Sequence, residues 1–166
     1  PQGRSDLHLP AGPRPTPAAG AAAASVLACI PGLHVYNVLA LLGLRRGKER
    51  RVMIAGASRI GVELARRLEE GRVPVTLIDV RRSEAELAAG DLDQTLVIHG
   101  APTDRDLLVE EGAEGVDGFV ACTDDHEENV VACLLARTLG AGHTFALVDN
   151  PALAGLIADL GIDAVI

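Results

Sequence analysis

The segment Gly56-Ala57-Ser58-Arg59-Ile60-Gly61 places two glycines five residues apart, behind a short apolar run and ahead of an amphipathic one. It is a GxGxxG pattern with serine at the middle position, set where a strand turns into a helix. The chemistry of such a turn is anion binding. Gly56 permits the tight bend and Gly61 lets the helix pack close to the sheet. The free amides of the helix start, with the dipole behind them, suit a diphosphate. Ser58 puts a Cβ where the backbone approaches the phosphate, and its hydroxyl offers a proton to a phosphate oxygen. Arg59 adds positive charge at the helix entrance, and Ile60 completes the loop. Asp79 follows Gly56 by 23 residues and ends the next apolar run. An acid there accepts both ribose hydroxyls and repels a 2′-phosphate, which favours NAD(H) over NADP(H). Arg81 and Arg82 follow closely and are expected to weaken that preference or to contact other phosphates.

Other reactive side chains point to blander roles. His99, His126 and His143 stand near strand ends or helix starts, and no two share metal-ligand spacing. They read as capping or surface residues. Cys29, Cys122 and Cys133 lack CxxC spacing, which suggests neither a disulfide framework nor a zinc site and fits a reducing, intracellular setting. Cys122 and Cys133 fall on apolar faces and are expected in the core. Asp124, Asp125, Glu127 and Glu128 read as a helix start with acids placed on the dipole; a divalent-cation site is the sharper alternative. No Ser/His/Asp or Cys/His set is visible. The single Tyr36 and single Lys48 lie outside the region that carries the loop, so a reductase's proton donor is missing. The expected protein is not an enzyme.

The elements that position these residues alternate. Apolar runs at Arg51–Gly56, Val73–Val80, Thr95–His99, Asp117–Cys122, Thr144–Val148 and Asp163–Ile166 read as strands. Between them lie helical patterns. One runs from Ile60 to Leu68; a second starts at Ser83 with Glu86 as a capping box. Thr103 is expected to cap a third helix, with Leu107 and Leu108 turned inward. Asp124 or Asp125 caps a fourth, ending at Gly140. Asn150 caps a fifth, with Pro151 in its first position. Strands that are apolar nearly throughout, separated by helices, predict a Rossmann-like, doubly wound parallel sheet of about six strands with helices on both faces. The last strand is cut by the end of the chain.

Composition divides the chain. Its 166 residues (17.2 kDa) are 48% hydrophobic with mean hydropathy +0.24, enough for a core, and only 2% aromatic. Residues 1–51 carry a net charge of +5 and residues 52–166 carry −13. The acidic balance and scarce aromatics exclude a general nucleic-acid binder. Residues 1–44 form a low-complexity, then apolar, segment; 45–50 a basic linker; 51–166 the folded domain. The stretch 15–44 has no charged residue and a basic flank follows, so it is also a membrane-span candidate, opposed by Pro31-Gly32, His34 and Asn37.

The stretches RVMIAGASRIG (51–61), LIDV (77–80), VIHGAPTD (97–104), FVACTDDHEENVVACLLAR (119–137) and ALVDNPALAGLIADLGIDAVI (146–166) together resemble the TrkA-N, or RCK N-terminal, domain family. The wording is most similar to the second nucleotide-binding half of the Trk potassium-uptake subunit. The resemblance implies a regulator that binds NAD(H), or else ATP/ADP, at the loop matching Gly56–Gly61. It implies that Asp79 holds the ribose, that Gly100–Thr103 lies by the adenine, and that Ala101, Thr103 and Thr123 are among the contacts. It further implies a homo-oligomeric ring of RCK domains, a potassium transporter or channel as membrane partner, and a cytoplasmic place at the inner face of the cell membrane. Three positions depart from the family pattern: Ser58 for glycine, Ala101 for aspartate, and Val80-Arg81 after the acid. Each would weaken affinity or move preference towards ATP. The alternative reading is the cofactor half of an NAD-dependent dehydrogenase whose catalytic half lies beyond Ile166.

Overall fold

The computed structural model describes residues 50–148, 157 and 159–165. The apolar segment and most of the basic linker, and the Asn150–Pro151 cap, lie outside these. Among the described residues no helix is long and apolar enough to cross a membrane.

Six parallel strands form one sheet in the order β3-β2-β1-β4-β5-β6. They are β1 (Val52–Ala55), β2 (Val75–Asp79), β3 (Leu96–His99), β4 (Gly118–Ala121), β5 (His143–Ala146) and β6 (Ala164–Val165). Helices α1 (Arg59–Glu70), α2 (Arg82–Asp91), α3 (Arg105–Glu110) and α4 (His126–Leu139) fill the crossovers, with a 3₁₀ turn at Ala113–Gly115 before β4. Strand side chains alternate between two cores. Val52, Ile54, Leu77, Val120 and Phe145 meet Leu64, Ala65 and Leu68 of α1 and Ala88 of α2. Met53, Ala55, Ile78, Phe119, Ala121 and Ala146 meet Leu108 of α3 and Ala132, Cys133 and Ala136 of α4. Small residues along α4 let that helix lie close to the sheet, so a chain poor in aromatic residues still closes its core. The edge differs from the expectation of strands buried on both faces: Leu96 and His99 of β3 are exposed.

The caps account for the helix starts. Ser58 caps α1 by accepting from the Gly61 amide, and Asp125 caps α4 by accepting from Glu128. Gly140 ends α4 at φ +105, as expected. Two expected caps are corrected. The α2 helix begins at Arg82 behind Arg81, with no side-chain cap, so Ser83 and Glu86 form no box. The Arg81 amide is tied to Asp79 Oδ1 at 2.7 Å, which holds Arg81 extended and moves the cap two residues ahead of Ser83. Asp104, not Thr103, caps α3: its Oδ1 accepts from the Asp106 and Leu107 amides. Thr103 lies inside the turn closed by Asp104 N donating to Ala101 O.

Two carboxylates pin loops. Glu69 of α1 accepts from the amides of Asp93, Gln94 and Thr95 and from the Thr95 hydroxyl. Burial opposes its charge, but these donors outweigh that and lower its pKa. Asp163 accepts from the Thr144 amide at 2.8 Å and lies 3.6 Å from His143 Nδ1, tying the turn before β6 to β5. The bond to Asp163 raises the His143 pKa against the effect of burial. Burial would raise Asp163, but His143 and the Thr144 amide bring it below its ordinary value. The linkage has two signs. The His143 contribution is complete below the ordinary histidine value of about 6.5 and is lost as pH rises through the raised value. The Asp163 contribution is lost as pH falls through its lowered value. Thermal unfolding of wild type and His143→Gln against pH is expected to show the widest gap in Tm between about pH 4 and 6.5, closing above that range.

At the opposite pole from the glycine loop, Arg51 fastens the chain's entry into β1. Its amide donates to Asp117 Oδ2, its guanidinium to Gly115 O, and its carbonyl accepts from Asp117 and Gly118.

Candidate functional site

Strand order reverses between β1 and β4, and at that point the C-terminal ends of both strands open a crevice. The glycine loop occupies its floor. Gly56 has φ +109, and a Cβ on it would stand 2.8 Å from Thr123 N and 2.9 Å from the Cys122 carbonyl. The turn therefore needs glycine twice, for its backbone conformation and for the approach of the β4 end. Gly61 packs against Gly56: a Cβ there would stand 2.0 Å from the Gly56 oxygen. The first intrahelical bond of α1 runs from Val62 N to Ser58 O. The amides of Arg59 and Ile60 come before it and open the first turn, with both side chains exposed.

Ser58 departs from its expected use. Its hydroxyl donates to Cys122 O at 2.8 Å and accepts from Gly61 N at 3.3 Å. A hydroxyl has one proton, and here it goes to β4 instead of outward to a phosphate. The loop nevertheless fits a diphosphate, through its glycines and first-turn amides.

Asp79 stands beside the loop, 2% exposed. Its Oδ2 accepts from Ala57 N at 2.6 Å and its Oδ1 from the Arg81 amide. The Gly100 amide donates to the Asp79 carbonyl, so the segment carrying Ala101 and Thr103 leaves β3 next to the acid. Thr123 lies across the crevice, after β4. The structure thus brings Gly56, Ser58, Arg59, Ile60, Gly61, Asp79, Ala101, Thr103 and Thr123 to one rim of the sheet.

A residue that sequence reading passed over organises the Thr123 side. Asn129 of α4 is fully buried. Its Oδ1 accepts from Thr123 N (2.9 Å) and Oγ1 (2.8 Å), while its Nδ2 donates to Thr123 O (3.1 Å) and Leu147 O (3.0 Å). The signal was available: Asn129 sits on the same face as Ala132, Cys133 and Ala136, and a polar side chain on a buried stripe must have partners.

The acids after β4 divide their work. Asp125 caps α4, and Asp124 pairs with Arg81 Nη1 at 3.0 Å. Burial raises the Glu128 pKa, and the charges of Asp125 and Asp79 add to it. Arg81 is held more firmly protonated by its bond to Asp79, with Asp124 adding. Among the described residues no group of three or more His, Cys, Asp or Glu side chains is arranged to hold a metal ion. His99 Nε2 donates to Val80 O, and His143 holds Asp163. Cys122 and Cys133 are buried as expected. Burial pushes the Cys122 thiol up to about 12 and raises Cys133 as well. Iodoacetamide is expected to label neither until the domain unfolds, as read by mass spectrometry.

A doubly wound parallel sheet with a glycine turn at its switch point and an acid at the tip of β2 defines a dinucleotide-binding class of domain. Within that class, residues 52–166 match the TrkA-N domain, and the chain belongs to that family. It is 33% identical over 136 residues to the Trk system potassium uptake protein TrkA of Azorhizobium caulinodans, which covers 81% of this chain and 30% of that protein. The protein of the same name from Vibrio alginolyticus is 35% identical over 133 residues, 80% of this chain and 29% of its own length. The chain therefore spans about three tenths of these relatives. Among solved structures, a GsuK channel bound to NAD shares the fold at TM-score 0.63 and 23% identity, over 74% of this chain and 22% of that one.

Proposed function

We propose that the domain is a non-catalytic, nucleotide-binding regulator of a potassium transport system, acting at the cytoplasmic face of the membrane through a transporter or channel subunit. The observation that carries the nucleotide part is the convergence at one rim of Gly56 at positive φ, the first-turn amides of α1, and Asp79 bonded to the loop through Ala57 N. NAD(H) is the ligand this arrangement suits best: the amides take the diphosphate and Asp79 the adenosine ribose. ATP or ADP is the other ligand the loop accommodates, with Arg59 beside the phosphates. The potassium part rests on family membership and on the relatives' names.

Regulation requires that the ligand bind two arrangements of the assembled domains with different affinity. A homo-oligomer of these domains is the assembly proposed, and ligand-dependent association is its signature. Calorimetry with NADH, NAD, ATP and ADP, with light scattering for association, tests the reading. Saturable binding that Asp79→Asn weakens, without turnover of NADH, supports it. Failure of all four to bind, or oxidation of NADH by a small carbonyl, overturns it.

A further inference from the structure

We infer that Arg81 determines which ribose the crevice accepts, because it competes with a 2′,3′-diol for Asp79 and offers a cation to a 2′-phosphate. The inference rests on the dinucleotide reading above and deepens it.

The geometry begins at Asp79. Only 2% of it is exposed, and Oδ1 is engaged by both the amide and, at 3.4 Å, Nε of Arg81. The far end of the same guanidinium reaches Asp124 Oδ2, with Nη1 at 3.0 Å. Asp79 ends β2 and Asp124 follows β4, and these strands flank β1 on either side. The Arg81 side chain therefore crosses the C-terminal end of β1, above the turn into the glycine loop.

A neutral diol can donate to Asp79 Oδ1 only by displacing Nε. That exchanges an ion pair for a hydrogen bond from an uncharged donor, so Arg81 works against NAD(H). A 2′-phosphate changes the balance. The guanidinium can leave Asp124 and keep an anionic partner, in the forked geometry that arginine presents to phosphate. Asp124 is 76% exposed, and an ion pair that open to water contributes little, so the exchange costs little. Asp79 repels the same phosphate, and the two residues set the selectivity jointly. Arg82 provides the contrast: it is adjacent and equally charged, yet bonded to Glu86 on the outer side of α2.

The nicotinamide fluorescence of NADH and NADPH measures both dissociation constants on the full chain, for wild type, Arg81→Ala, Arg81→Gln and Arg82→Ala. In both Arg81 variants the affinity ratio is expected to move about tenfold towards NADH, the worth of one charge-assisted bond. Arg82→Ala is expected to leave it within about twofold, as for an exposed pair. An unchanged ratio in the Arg81 variants, or an equal shift in Arg82→Ala, overturns the role of Arg81 and leaves the nucleotide reading standing. If neither dinucleotide binds any of the four proteins, the role of Arg81 falls together with NAD(H) as the ligand, and the nucleotide reading then stands or falls on ATP and ADP.

Discussion

Gly61→Ala is expected to destabilise the domain by about 1–3 kcal/mol, although the same change inside a helix ordinarily stabilises by up to about 1 kcal/mol. The sign reverses because of where α1 meets the sheet. An alanine Cβ would stand 2.0 Å from the Gly56 oxygen and 3.2 Å from Cys122 Sγ. The first of these is backbone and cannot rotate away. Gly56 cannot retreat either, since its own turn is pressed against Cys122 and Thr123. Relief comes only by lifting the start of α1 off β1, which pulls Ser58 from Cys122 O and moves the first-turn amides. Chemical denaturation and nucleotide affinity should therefore fall together. Gly90 in α2 is the internal control, because a Cβ there meets nothing within 4 Å. Gly90→Ala is expected to stabilise by up to about 1 kcal/mol, the ordinary helix gain. If Gly61→Ala matches it in sign, the close packing of loop and helix is not what glycine provides.

The second large effect is expected at Asn129. Its amide joins the end of β4 to the end of β5 through Thr123 and Leu147. Asn129→Ala removes the partner of the buried Thr123 amide and carbonyl and of the part-buried Leu147 carbonyl, at about 1–3 kcal/mol for each group left unsatisfied. The effects of one network do not add, and a loss of about 3 kcal/mol in unfolding free energy is the expected result. Asn129→Asp is expected to be worse at neutral pH. Ionised, it keeps an acceptor for Thr123, removes both donors and buries a charge; protonated, it regains one donor but must take up a proton to fold. That carboxyl would be protonated in the fold at a pH where the unfolded chain has ionised it. The penalty over alanine should then shrink as the solution is made more acid. Denaturant melts at two pH values decide it, and a pH-independent gap between the variants would show that the network carries no such stake.

Much of the fold is legible because parallel strands covered on two sides must be apolar at nearly every position. Runs such as Val52–Ala55 and Gly118–Ala121 stand out whatever their neighbours do. Their ends are less legible. The run from Val73 to Val80 narrows to Val75–Asp79, because the ladder, not hydrophobicity, ends a strand. Caps fail where a tertiary bond intervenes: Ser83 and Glu86 have the right spacing, but Asp79 fixes Arg81 first. The glycine loop and Asp79 are readable as residue types in register. What Ser58 does with its single proton is not, since Cys122 lies 64 residues away in sequence. The Arg81 contact with Asp124 is hidden for the same reason. It depends on β2 and β4 flanking β1, which is a property of the sheet and not of either segment.

The fastening of Arg51 beneath β1 gives the domain an axis. The chain enters where Arg51 meets Gly115 and Asp117, and the crevice opens at the other end of the same strand. Four residues of β1 separate them, about 13 Å at the usual strand rise. Whatever precedes residue 50 is thus attached at the pole facing away from the crevice. β1 is buried along its whole length and paired along both edges, so the two poles stand at a fixed separation across the sheet.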